Sequence, residues 1–130
     1  MRWPVLWASA ATAGRNATHV QAHDETNDLA VVHTKDAWAT WALFSSDMVR
    51  AGDTAIAMGF PLTGLLADTA NVTVGNVSAL GGPNNDSRFV QITTPIQPGN
   101  SGGGLFDANG GIIGVVQSTL DVKKIFESIV

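Results

Sequence analysis

Residues 94–106 read Thr-Pro-Ile-Gln-Pro-Gly-Asn-Ser-Gly-Gly-Gly-Leu-Phe, with one serine, Ser101, among residues that shape the backbone. A serine hydroxyl is a weak nucleophile. It needs a base within hydrogen-bond reach and N–H donors aimed at the oxyanion that forms. Glycine at 99 lets the chain turn so that the N–H groups of Gly99 and Ser101 face one point. Glycines at 102 and 103 clear side chains from beside the hydroxyl, so that a carbonyl can approach. The same five residues, 99–103, also read as a glycine-rich turn with an incidental serine, because short motifs match by chance.

The base is harder to find. The chain has three histidines, His19, His23 and His33, all before Ser101. Gly99–Gly103 also fits G-x-S-x-G, the nucleophile elbow of α/β-hydrolases. That fold needs a helix after the serine and the order serine, acid, histidine, which this chain does not have. The order histidine, acid, serine leaves the acid open. His33 lies five residues beyond Asp28 along one strand, about 16 Å away and on the other face. His19 and His23 share a face in simple alternation but stand about 13 Å apart, too far to chelate one metal. All three read as surface or edge residues. Asp24, Glu25 and Asp28 lack the spacing of a calcium loop, so no metal site is expected.

The elements that must carry these residues are short strands. Residues 17–23 alternate and 29–33 form a nearly continuous apolar run, joined by a turn at 24–28. Residues 34–53 show no sustained period and read as a connection. Strands follow at 54–60, at 70–80 with Gly75 as a bend or bulge, and at 88–94. Residues 103–118 form two strands around Asn109-Gly110-Gly111, a hairpin signal. Residues 121–130 change to helical spacing at Val122, Ile125 and Ile129. Short strands at even intervals favour an all-β barrel or sandwich.

The bulk properties agree. The chain has 130 residues, 45% hydrophobic and 14% charged, enough for one globular domain with a modest core. Its formal net charge is −4, and it has no cluster of Lys and Arg, which argues against a nucleic-acid surface. No apolar run is long enough to span a bilayer. Cysteine is absent, which excludes disulfides and thiolate metal sites. Residues 1–13 form an anomalous, signal-like start with a very short apolar patch. Four Asn-x-Ser/Thr sequons, at Asn16, Asn71, Asn76 and Asn85, are at the chance level of a strand protein rich in Asn and Thr. Trp38 and Trp41 are expected to pack in the connection.

Beyond the serine loop, "NDLAVV" at 27–32 and "AGDTAIAMGFP", "TVGNVSALGG" and "FVQITTPIQPGNSGGGLFDANGGIIGVV" between 51 and 116 resemble the trypsin-fold serine proteases of the HtrA (DegP-like) group. The resemblance covers most of residues 14–120 and departs from the group at Gly104, where proline is usual. It implies a trypsin-like Greek-key β-barrel architecture, with the last strands of a first barrel and the connection at 14–50 and most of the second barrel at 51–120. The group's final strand is expected after Ser118, but "LDVKKIFESIV" departs from the group. The tail at 121–130 is read either as a stand-in for a short terminal helix or as an end error. The resemblance implies Asp28 as triad acid, Ser101 as nucleophile, the N–H groups of Gly99 and Ser101 as oxyanion donors, and Pro95 at the base of the substrate pocket. It implies an extended polypeptide substrate, added as a strand along the edge near 113–118, and no cofactor. An oligomer and a periplasmic or secreted location fit the group. No segment here resembles the one that carries the group's histidine, so the chain is expected to be an incomplete endopeptidase, inactive alone. The rival readings are a non-catalytic peptide-binding remnant and a histidine supplied by another polypeptide.

Overall fold

A computed structural model describes residues 6–7, 17–34, 40–59, 70–97 and 100–117. Its strands are β1 (Leu6–Trp7), β2 (Ala17–Asp24), β3 (Leu29–Thr34), β4 (Thr54–Gly59), β5 (Asn71–Ala79), β6 (Gln91–Ile92), β7 (Gly104–Phe106) and β8 (Ile112–Val115), with one 3₁₀ turn at Pro83–Asn85. They form a three-stranded sheet ordered β1-β3-β2 and a five-stranded sheet ordered β6-β5-β4-β7-β8, and every strand pair is antiparallel. The described residues are all-β, as a trypsin-like barrel fragment requires, and include no α-helix. The helical spacing at 121–130 falls outside them.

The hairpin β2–β3 turns at residues 25–28. Asp24 Oδ1 accepts the N–H groups of Thr26 (3.0 Å) and Asn27 (3.2 Å), the local bonding that makes Asp a turn former. Asp28 closes the turn with φ +52°, a left-handed conformation that Asp tolerates better than most residues. Irregularities in β2 between Ala17 and His19 and between Val20 and Ala22 overturn the simple alternation expected of residues 17–23. His19 pairs with His33 and His23 with Ala30, so the two β2 histidines end on opposite faces. The signal-like start also contributes a strand, because Leu6 and Trp7 pair with Val32 and Val31.

The core of the larger sheet is small: Ala55, Ala57, Val77, Leu105 and Val116 are buried, with Val49, Val90, Ile92, Ile96 and Ile113 packed around them. Alanines suffice at 55 and 57 because another chain segment passes close over this face. A Cβ on Gly75 would lie 2.4 Å from Thr94 N, and Thr94 Oγ1 donates to Ala55 O at 2.9 Å. Gly75 therefore sits in a regular ladder opposite Ala55, where close approach requires it. The irregularity in β5 lies instead between Val77 and Ala79. The expected strand at 88–94 is shortened to Gln91–Ile92, because beyond Ile92 the chain leaves the ladder to cross Gly75.

The connection runs along the outer edge of β8. Phe44 bridges Ile112 in parallel, Ser45 N–H donates to Ile112 O (2.9 Å) and Ile112 N–H to Leu43 O (2.8 Å). Trp41 is 59% exposed and Met48 85%, so Trp41 does not pack in the connection, contrary to expectation; Trp38 lies outside the described residues.

Candidate active site

The segment leading to Ser101 is anchored strand by strand. Thr93 N–H donates to Asn76 O (2.9 Å), Thr73 Oγ1 donates to Pro95 O (2.7 Å) and Asn100 N–H donates to Gln97 O (3.0 Å). Past the serine, Gly102 N–H donates to Val116 O (2.6 Å), Val116 N–H to Gly103 O (2.9 Å) and Gly103 N–H to Asn100 O (2.9 Å). Ser101 is exposed at the tip of this closed turn. The glycines after it have a second reason to be there besides access. Gly102 has φ +82°, and a Cβ on Gly103 would lie 2.5 Å from Met58 O.

Asn100 is the opposite of its exposed neighbour. It is 1% exposed, and among the described residues neither Oδ1 nor Nδ2 has a hydrogen-bond partner. Its amide packs on Gly59 at the end of β4, where a Cβ would meet Oδ1 at 2.5 Å. Motif reading placed Asn100 in the loop but gave no sign of this burial.

Asp28 is exposed on the β2–β3 turn, and that turn is tied to the larger sheet at two points. Gln117 Nε2 donates to Asn27 O (2.7 Å), and Arg88 Nη1 donates to Asn27 Oδ1 (3.0 Å). Arg88 is itself aimed by Asp86, through Nε to Oδ1 (3.0 Å) and Nη2 to Oδ2 (2.6 Å). The guanidinium pulls the Asp86 carboxyl down to about 2. Asp24 is lowered as well, first by the Asn27 side-chain amide and then by the Asn27 backbone N–H.

Among the described residues, no hydrogen bond joins Asp28 directly to Ser101. What joins their neighbourhoods is the short stretch Val116–Gln117. Pro95 is exposed, and Gly99 lies outside the described residues. His19 and His33 stack on each other with ring centroids 5.0 Å apart, and His23 Nε2 lies 3.6 Å from Glu25 Oε1. A cleft of about 360 Å³ is lined by Ser45, Asp47, Met48, Asp53, Asp107 and Ile113 among others, and holds none of Ser101, Asp28 and Pro95. Among the described residues no group of three or more His, Cys, Asp or Glu could hold a metal ion, and no helix is long and apolar enough to cross a membrane. Sequence reasoning missed Arg88, Gln117 and Asn27. Their bonds span 61 and 90 residues, and no local pattern signals them.

An all-β chain with an exposed serine in a glycine-closed turn, and a carboxylate turn braced beside it, belongs to the trypsin-like peptidase domain family, which matches residues 4–115. Within that family its relatives place it in the HtrA group. It is 37% identical over 119 residues to the Serine protease Do-like HtrA of Lactococcus lactis, covering 81% of this chain and 28% of that protein. It is 41% identical to a Probable periplasmic serine endoprotease DegP-like of Chlamydia pneumoniae, covering 71% and 19%. An uncharacterized protein of Sinorhizobium fredii, y4bJ, is 45% identical over 82% of this chain and 17% of its own length. Among solved structures, the HtrA-type protease AlgW with decapeptide superposes with a TM-score of 0.65 at 32% identity, covering 81% of this chain and 33% of that one. The chain thus spans less than a third of the length of these curated relatives.

Proposed function

We propose that the whole protein is a serine endopeptidase of HtrA type. Ser101 attacks the peptide carbonyl, a histidine takes its proton, and Asp28 orients that histidine. The N–H groups of Gly99 and Ser101 hold the oxyanion, and an acyl-enzyme is then released by water. The observation that carries this reading is the bracing of both loops by Val116–Gln117: Gly102 N–H on Val116 O, and Gln117 Nε2 on Asn27 O. The base is a histidine other than the three present. His19 and His33 are occupied with each other at the Ala17–Thr34 end of the hairpin, away from the turn of Asp28, and His23 faces Glu25. The substrate is an extended polypeptide that adds as a strand beside β8. Leu43–Ser45 cover that edge at Ile112, so the peptide is proposed to add beyond it, near residues 113–117. The peptide in the AlgW structure supports this substrate class. The periplasmic relative supports a periplasmic or secreted location.

The test is fluorophosphonate labelling and casein cleavage by the protein extended on its N-terminal side through a histidine-bearing strand. Labelling is expected, Ser101→Ala abolishes it, and Asp28→Asn lowers turnover by about 10⁴-fold. Labelling that survives Ser101→Ala overturns the assignment.

A further inference from the structure

We infer that Asn27 is a positioning residue, the latch through which Arg88 and Gln117, in the segments before β6 and after β8, hold the turn that presents Asp28. The inference rests on the reading of Asp28 as the triad acid. Its geometry stands without that reading.

All four polar groups of Asn27 are committed, its N–H to Asp24 Oδ1 (3.2 Å) and three more to other atoms. Its Oδ1 accepts from Arg88 Nη1 (3.0 Å), its Nδ2 donates to Asp24 Oδ2 (2.5 Å), and its carbonyl accepts from Gln117 Nε2 (2.7 Å). These bonds fix the amide orientation, because a flipped amide would face its NH₂ to the guanidinium and its oxygen to a carboxylate. The result is a row of alternating character, Asp86, Arg88, Asn27, Asp24, in which each member is oriented by the next. Asp86 grips Arg88 by Nε and Nη2, which leaves Nη1 pointed at Asn27. Asp24 in turn caps the N–H groups of Thr26 and Asn27.

The second grip acts on Asp28 more directly. The carbonyl of Asn27 and the N–H of Asp28 belong to one planar peptide. Holding that oxygen at 2.7 Å sets the plane from which the Asp28 Cα hangs, and Asp28 is the residue with left-handed φ. A non-glycine residue keeps such a conformation where its surroundings over-determine it. Gln117 is well placed to do this, since the preceding residue, Val116, is pinned by Gly102 N–H and Gly103 O beside Ser101. The path from Ser101 to Asp28 therefore runs through backbone, the Gln117 side chain and two hydrogen bonds: Ser101, Gly102, Val116, Gln117, Asn27, Asp28.

The chain has no cysteine, so Ser101→Cys gives a unique attachment point for a nitroxide label. The readout is paramagnetic broadening of the amides of residues 26–29 in the labelled 130-residue chain, with the Gly59 amide as an internal reference. Strong broadening at the turn is expected. Arg88→Gln combined with Gln117→Leu should lower it at least twofold while the Gly59 broadening is unchanged, since that glycine packs on Asn100 and not on the latch. Gln117→Glu, nearly isosteric but lacking the donor, keeps the test available if the double variant unfolds, and should lower the turn broadening on its own. Turn broadening that persists undiminished in a folded donor-less variant, or that is absent from the unmodified latch, overturns the proposal. Loss of turnover in the extended protein plays no part in this readout. A latch that holds beside an Asp28→Asn variant of full activity would leave the positioning geometry intact and sink the triad reading alone.

Discussion

At the scale of single residues, Ser101 and Asn100 show how one turn divides its labour. Ser101 is exposed, and the next residue back is buried with both amide atoms unpaired among the described residues. A neutral unpaired amide costs about 1–3 kcal/mol, which the fold tolerates, whereas an unpaired carboxylate in the same place costs more. Asn100→Asp should therefore destabilise the chain by about 3–5 kcal/mol at neutral pH, measured by urea unfolding. Burial raises a carboxyl pKa, so the loss should shrink as the pH falls and the group becomes neutral. A loss under about 1 kcal/mol would show that the amide pocket is wet. In the proposed function Pro95 stands at the pocket base. A proline there offers no charge to a basic side chain, so the proposed enzyme should prefer small or medium apolar residues before the cleaved bond. A peptide-library profile dominated by Arg and Lys would refute this.

Among the elements, the segment 86–89 carries an exposed Arg88 that nonetheless helps to hold the hairpin. Arg88 holds the Asp86 carboxyl at about 2, below its ordinary value of 3.8. A depressed folded-state value contributes stability above about 3.8 and loses it as the pH falls toward 2. The Asp86 carboxyl carbon, followed by NMR, should titrate near 2, and Arg88→Gln should return it toward 3.8. A midpoint near 3.8 in the unsubstituted chain would mean that the pair is broken in solution. The elements also show what periodicity can and cannot carry. Residues 54–59, 71–79 and the hairpin around Asn109–Gly111 were legible, because alternation and turn chemistry are local. The faces of His19 and His23 were not, because one irregularity in β2 reverses alternation without changing composition. Gly75 was legible as unusual, but its cause was not: the segment that forbids a side chain there arrives from Thr94.

For the whole molecule, the two sheets are tied together between the turn of Asp28 and the loop of Ser101, and the proposed mechanism requires a base between these two residues. The 130-residue chain should accordingly leave a fluorophosphonate probe unreacted, even when folded. Without a base, catalysis rests on oxyanion donors and binding alone, worth roughly 10³–10⁴-fold over water. Rapid labelling that depends on Ser101 would send attention back to His23.

The amino-acid sequence by itself determined the class of fold, the family, and which serine and which aspartate to suspect. Strand alternation, glycine placement and short motifs are written in neighbouring residues. Only the tertiary structure decided that Asn100 is buried beside Gly59, and that Gly103 yields its side-chain space to Met58 O. It alone showed the hairpin of Asp28 held by Arg88 and Gln117. Those contacts join residues tens of positions apart. Their partners are chosen by how the sheets cross and by which polar groups burial leaves to be satisfied, and no run of neighbouring residues encodes that choice.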